Sequence, residues 1–423
     1  MNIPSKSKNL LFVISFLIYL IPIALVSGPF LPDLFVSLIV ILFITLTFLE
    51  RDFNFYKNSY FKIFILWWAY LTIRSLFSID PLLSLESSLF YFRFGFFSIA
   101  VWYCVEKNLE FINYFRLSLT LTITFVALDA LLQYFSGYNI LGIPYNGLRL
   151  NGFFDDELIL GSYLVRLLPL FVFLFLVKEN LSSSEVLLLL IMLPLISVLI
   201  FLSGERTAFF ILLLILIGYF VLLNGFLKIR ILFLISSLVL IFLIGFLDTS
   251  TKQRVVDNTI NQSNLFKGDK EFVIFSERHQ YELTIAKRIF LDNSIFGSGT
   301  KTYRVVCDDE KYKYDLKLPK HKSRCSNHPH NIYAQLFSET GILGTIPICA
   351  LFFLTLFIFF KQLAAKISLI NYNIKNYQLS ILLSIFIYLF PLVPSVSFFN
   401  NWFSIISFLP IGFMLSAFYR IKK

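Results

Sequence analysis

Long apolar runs alternate with short polar or Pro/Gly breaks along nearly the whole chain. Runs near 9–27, 29–49, 61–78, 88–105, 115–135, 158–177, 185–203, 207–224, 228–247, 331–360, 376–397 and 401–419 each approach the roughly 20 residues needed to cross a bilayer as an α-helix. The pattern predicts an all-α polytopic membrane protein of about twelve transmembrane helices. One long polar segment, 248–330, separates the ninth run from the tenth. It divides the chain into spans one to nine (1–247), a loop (248–330) and spans ten to twelve (331–423). Inside the loop, Tyr281, Ile285, Ile289 and Phe290 recur at helical spacing among Arg278, Glu282 and Lys287. That spacing predicts an amphipathic helix over 276–293, either lying on the outer membrane surface with Arg278 turned inward or packed on the bundle and stopped by the Gly297-Ser298-Gly299 stretch.

Composition agrees with this reading: 57% of the 423 residues are hydrophobic and 15% charged, with mean hydropathy +0.78. A soluble domain carries about a quarter charged residues, so ordinary soluble enzymes, disordered tails and disulfide-rich secreted domains are excluded. The net charge of +10 is accounted for by basic loops beside anionic lipid and needs no nucleic acid. Lys6 and Lys8 precede the first apolar run as in a signal peptide, but the run is too long and Ser27-Gly28-Pro29 leads straight into another span, so a retained helix is expected. No internal repeat is visible, which argues against a two-halved transporter.

The basic residues fix an expected orientation. Sixteen Lys and Arg lie at the termini and in alternate short loops, against only Arg149 and Arg206 in the short loops of the other side. By the positive-inside rule both termini are cytoplasmic and 248–330 lies outside, since long loops cross regardless of charge. With that orientation, Arg74, Arg93, Asp129, Arg166 and Glu339 all fall in the outer half of their spans. Charge inside a membrane is costly and marks function by default. With Arg149 and Arg206 the set predicts an outward-opening anion site, against a plainer reading of helix-end snorkelling and structural pairs such as Arg166 with Asp129.

All four histidines, His279, His321, His328 and His330, sit in the polar segment. Histidine titrates near neutrality and can take a proton from a hydroxyl; His279 and His321 are read as solvated. The spacing of His321, Cys325, His328 and His330 fits no standard zinc pattern, and no metal is expected. The acidic runs Asp155-Asp156 and Asp308-Asp309-Glu310 are read as solvated rather than Mg²⁺-binding. Cys104 and Cys349 lie in spans as small apolar side chains, whereas Cys307 and Cys325 share the external segment, where an oxidising compartment allows a disulfide.

The sharpest local signal is His328-Pro329-His330-Asn331, nine further residues, then Gly341-Ile342-Leu343-Gly344. On a continuous helix, eleven residues advance about 1100°, so His330 and Gly341 would share a face, the glycines permitting close packing about 16 Å deeper. This run after one long external loop resembles the O-antigen ligase and Wzy-type polymerase superfamily. Ser203-Gly204-Glu205-Arg206-Thr207-Ala208, Arg149-Leu150-Asn151-Gly152-Phe153-Phe154 and the helix around Arg278 leading to Gly297-Ser298-Gly299 are similar to further stretches of that family.

The resemblance implies a GT-C-like membrane glycosyltransferase, inverting and metal-independent, without a cofactor. Its donor would be a glycan on undecaprenyl diphosphate at the periplasmic face of the bacterial inner membrane. Arginine forks suit diphosphate oxygens, which assigns Arg206 and Arg278 to a clamp, with Arg149, Arg93 and Arg166 as further contacts and Arg74 as another substrate-binding candidate. His330 would deprotonate or orient the acceptor hydroxyl, and Asn331 would either hold the imidazole or cap the helix. The acceptor would be lipid A-core in a ligase of lipopolysaccharide biosynthesis, another lipid-linked repeat unit in a polymerase, or a protein. A flippase or exporter of lipid-linked sugars is the alternative of another class. It predicts cationic residues in the inner halves of the spans, where the sequence has none.

Overall fold

The computed structural model describes residues 5–178, 180–225, 227–263, 274–312, 325–367 and 370–419. His321 lies outside the described residues. In chain order the helices are α1 (Ser5–Ala24), α2 (Phe30–Glu50), α3 (Ser59–Leu76), α4 (Pro81–Ser88), α5 (Phe92–Lys107), α6 (Phe111–Ser136), α7 (Leu160–Leu176), α8 (Ser183–Leu202), α9 (Arg206–Leu222), α10 (Leu227–Leu247), α11 (Thr249–Lys252), α12 (Asn258–Ser263), α13 (Glu277–Asp292), α14 (Tyr303–Val306), α15 (Ile332–Lys366), α16 (Asn376–Tyr388) and α17 (Asn401–Phe418). The chain is a polytopic helical membrane protein.

Every expected span overlaps one of these helices, but their lengths differ. By length and composition, eight helices among the described residues suffice to cross a membrane: α1, α2, a run from Pro81 to Lys107 through α4 and α5, α6, α8, α10, α15 and α17. Helices α7, α9 and α16 are apolar but shorter, and α3 is interrupted by Lys62 and Arg74. The eleventh apolar run, expected to be helical to 397, is helical only to Tyr388. Pro391 and Pro394 each lack the N–H a helix needs, and 389–400 instead forms an irregular stretch at one end of the bundle.

Helix starts follow local chemistry. Asn58 and Asn400 accept backbone N–H groups at the starts of α3 and α17, Asp80 caps α4 with Pro81 behind it, and Ser182 with Glu185 forms a capping box on α8. These caps satisfy donors that have no partner inside the helix. The buried centre is formed by α5 against α17 and α7 against α16. Long-range side-chain bonds tie it together: Trp402 Nε1 donates to the Leu25 carbonyl at 2.9 Å and Tyr163 to the Pro22 carbonyl at 2.9 Å.

Helix α15 is broken. Gly341 has φ 64° and ψ −168°, so the face shared by His330 and Gly341 on a continuous helix does not exist. His330 itself precedes the helix, in a left-handed conformation with φ 49°. The break is filled by the backbone of 294–299. Ile342 N–H donates to Ser294 O at 2.8 Å and Leu343 N–H to Ile295 O at 3.3 Å, while Ser298 and Gly299 N–H donate to Ser338 and Glu339 O at 2.9 and 2.8 Å. Irregular backbone at membrane depth is tolerated where protein satisfies it, and this exchange does so. At the second glycine of the motif, Gly344, a Cβ would overlap the Thr340 side chain of its own helix and come to 3.0 Å from the Tyr70 ring of α3.

Candidate functional site

Between the bundle and the 248–330 segment lies a cavity of about 1810 Å³. Its lining combines apolar residues, Ile23, Val26, Phe125, Phe154, Phe210 and Trp402, with Arg149, Arg166, Arg206, Arg254, His279, His328 and His330. The arginines reach this lining by definite local devices. Arg149 follows the Gly147 turn, and its Nη2 donates to the Leu158 carbonyl at 2.6 Å. Arg206 is the first residue of α9, where free N–H groups and the helix dipole favour an anion, and it donates to Gln262 Oε1 at 2.5 Å. Arg254 projects from a π-helical turn, Gln253–Asp257, with Nε on the Gly204 carbonyl at 3.0 Å. Extra-residue turns of this type often aim a side chain at a functional site.

Asp155, Glu157 and Glu205 line the same cavity as these cations, and Glu205 attracts both Arg149 and Arg166. Among the described residues, none of Arg149, Arg166, Arg206 and Arg254 forms an ion pair within 4.0 Å. The Glu205 carboxylate is occupied by Gly161 N–H at 2.7 Å and by Ser162 N–H and hydroxyl at 3.3 and 2.5 Å. Arg254 repels both Arg149 and Arg206, and burial together with that repulsion lowers the pKa of Arg149. Arg166 is 5% exposed; it stacks on Tyr388 and Phe403 at 5.0 and 4.7 Å, and its Nη1 finds no hydrogen-bond partner. The Arg166–Asp129 pair of the plainer reading is not formed: Asp129 accepts from Ile140 N–H and Asn139 Nδ2 instead.

His330 sits in a nest of titratable groups. Its ring centroid is 4.2 Å from that of His328 and 5.4 Å from that of His279, and its Nε2 is 3.8 Å from Glu282 Oε2. The backbone is held by Ser395 N–H, which donates to the His330 carbonyl at 2.8 Å. His328 Nε2 lies 3.2 Å from Ser395 O. Burial first, then the positive Arg278, pull His330 below the usual histidine range. Burial and its histidine neighbours bring His328 down to about 4. Both rings are therefore neutral near pH 7, the state in which an imidazole accepts a proton.

The eight residues singled out from sequence separate into three groups. His330, Arg206, Arg149 and Arg166 line the one cavity. Arg278 stands beside it, 55% exposed, its Nε donating to Glu282 Oε1 at 3.3 Å. Arg74, Arg93 and Asn331 are not among the lining residues. Arg74 donates to the Phe296 and Gly297 carbonyls at 3.1 and 2.5 Å, bracing the segment that enters the α15 break. Arg93 pairs with Asp33 of α2 at 2.6 Å. Asn331 caps α15, accepting from Tyr333 and Ala334 N–H. Glu339 of the same one-sided set is also structural, accepting Tyr303 N–H at 3.1 Å and Gln335 Nε2 at 3.0 Å.

Sequence reasoning missed Arg254 and Glu282, and it read His279 as solvated. The only available signal was position: His279 and Glu282 fall within one turn of Arg278 on a predicted helix. That helix, α13, runs alongside α15, and its Tyr281, Ile285 and Ile289 are buried in a small core with Tyr303, Val306, Cys307 and Tyr312. Cys307 and Cys325 are joined as a disulfide with Cα atoms 5.6 Å apart. No cluster of three or more His, Cys, Asp or Glu able to hold a metal occurs among the described residues.

Residues 187–349, from α8 through the first half of α15, match the family model described as O-antigen ligase. No match is found among curated proteins.

Proposed function

We propose that this chain, whose residues 187–349 match the family model described as O-antigen ligase, has a ligase- or polymerase-type role in O-antigen assembly and is an inverting glycosyltransferase. It transfers a glycan from undecaprenyl diphosphate to an acceptor hydroxyl on lipid A-core. The reading rests on one observation: Arg149, Arg206 and Arg254, none of them in an ion pair within 4.0 Å among the described residues, share a large cavity with neutral His330.

The acceptor oxygen attacks the anomeric carbon from the face opposite the diphosphate. As the new C–O bond forms, the bond from that carbon to the phosphate oxygen breaks, and its electron pair leaves on the lipid diphosphate. The acceptor proton passes to His330. Charge grows on the leaving group in the transition state, where preorganised donors in a water-poor site act most strongly. Guanidinium forks stabilise that negative charge and stay protonated at any working pH, so the proposed transfer is metal-independent. Apolar lining residues such as Phe125, Phe154 and Phe210 suit the first prenyl units of the donor. The site would face the periplasm, with both termini in the cytoplasm.

The test incubates purified protein with lipid-linked glycan and either lipid A-core or unlabelled repeat units, and sizes the products. A ligase yields glycan attached to core lipid in one step; growth of lipid-linked chains instead makes it a polymerase. His330→Ala is expected to abolish transfer while leaving the protein folded in detergent. Transfer at near-normal rate by that variant removes the assignment.

A further inference from the structure

Glu282 is 1% exposed. Its Oε1 accepts from Arg278 Nε at 3.3 Å, whereas Oε2 accepts no hydrogen bond from any described residue and points to His330 Nε2, 3.8 Å away. The Ser326 hydroxyl neighbours the carboxylate but donates to the His328 carbonyl at 2.5 Å. A buried carboxylate oxygen left unmatched is costly, and nothing in the packing of α13 requires one there. The adjoining helix face is otherwise apolar: Tyr281, Ile285 and Ile289 are all buried. The turn that carries it is fixed from the other side, because the Tyr303 hydroxyl donates to the Glu282 carbonyl at 3.2 Å.

We propose that Glu282 is the positioning partner of His330, with Arg278 holding its far oxygen. This inference rests on the reading of His330 as the base. The carboxylate fixes the hydrogen of the imidazole on Nε2 and leaves Nδ1 as the nitrogen that receives the acceptor proton. When that proton arrives, the ring becomes an imidazolium, and Glu282 Oε2 gains the charged donor it lacks at rest. The gap of 3.8 Å closes to hydrogen-bond length in the loaded site, as such contacts commonly tighten only there. Arg278 then belongs to this relay rather than to the diphosphate clamp. It neutralises Glu282 at rest and opposes charging of His330.

The groups facing His330 make the sign of each substitution definite. Arg278, His279 and Glu282 face it from α13, His328 from its own segment and Ser395 from the 389–400 stretch, with Arg304 behind His328. Glu282 is the only anion among them. Removing its charge lowers the histidine pKa, and removing Arg278 raises it.

The experiment uses full-length protein in detergent with selectively labelled histidine, the His330 resonance assigned by its loss in His330→Ala. Glu282→Gln keeps the shape and is expected to move the His330 titration down by roughly one unit; Arg278→Ala moves it up. In transfer assays Glu282→Gln lowers kcat on the order of 10²-fold with KM for the lipid-linked donor unchanged, and it moves the acidic limb of kcat/KM to lower pH. Glu282→Asp restores part of kcat. A His330 titration unchanged in folded Glu282→Gln overturns the pairing. So does a donor KM raised by Arg278→Ala with no shift of the histidine, which returns Arg278 to the clamp. Retained transfer by His330→Ala sinks the reading beneath this one, while the titration arm still reports on the contact between the two side chains.

Discussion

Substituting Gly341 by alanine tests the interlock that seats residues 294–299 on the bundle. With φ 64° and ψ −168°, Gly341 occupies a region open essentially to glycine alone, and a side chain there costs about 1–3 kcal/mol. A Cβ would also overlap the Ile295 carbonyl and approach Phe296 N to 2.6 Å. Both are backbone atoms, so the 294–299 strip must withdraw. Withdrawal exposes the four backbone hydrogen bonds it makes to α15, at about 1 kcal/mol each. Together the penalty is on the order of 4 kcal/mol or more. Gly142→Ala is the control: its φ is 80° but no atom lies within 4 Å of a Cβ, so it bears only the left-handed cost of about 1–2 kcal/mol. The assay is thermal unfolding in detergent followed by tryptophan emission. Trp67 Nε1 donates to the Gly344 carbonyl at 2.7 Å, one turn beyond the break, and so reports on it. Wild type should melt highest, Gly142→Ala slightly lower and Gly341→Ala well below both, with altered emission before unfolding. If the two alanine variants melt together with identical emission, the interlock contributes nothing and the reasoning fails.

Arg254→Ala is expected to raise KM for the lipid-linked donor roughly tenfold, the loss of one charge-assisted contact; an unchanged KM removes Arg254 from the clamp. Arg206→Lys should recover little of what Arg206→Ala loses, since an ammonium cannot form the paired contacts of a guanidinium, and full recovery argues for a simple point charge. Reducing the disulfide, or Cys307→Ser, opens a link spanning 18 residues and should cost about 3 kcal/mol, read as a lower melting temperature against non-reduced protein. A chelator should leave transfer by purified protein unchanged; inhibition reversed by Mg²⁺ would point back to the acidic runs.

The fold was legible where the deciding signals are local. Helix α13 was expected over 276–293 and runs from Glu277 to Asp292, because Ser276 caps it and its apolar positions keep one face. Of the four residues that mark that face, Tyr281, Ile285 and Ile289 are buried and Phe290 is half-buried. Hydropathy located every long helix but overran α16, since apolar residues continue past Pro391 and Pro394 although the helix does not. The break in α15 was invisible for the opposite reason. A glycine inside an apolar helix reads as a packing site, and only the arrival of 294–299, more than forty residues earlier in the chain, makes it a point of insertion.

The site divides along the same line. Arginines on one side of the membrane pattern pointed to the cavity for Arg149, Arg166 and Arg206, because sidedness is encoded by which loop a residue occupies. Sidedness alone does not say which arginines already have partners. Arg93 meets Asp33 across 60 residues of sequence, and Arg74 is spent on carbonyls of a segment more than two hundred residues away. Both carry the right charge on the right side and neither reaches the cavity. Glu282 shows the converse. Four residues after Arg278 on a polar helix, it reads as half of a solvent-exposed pair worth a few tenths of a kcal/mol. Burial changes what the same two residues can do. With one oxygen held by Arg278 and the other 3.8 Å from His330, beside His279, the carboxylate is placed to receive the charge that the proposed reaction would put on His330.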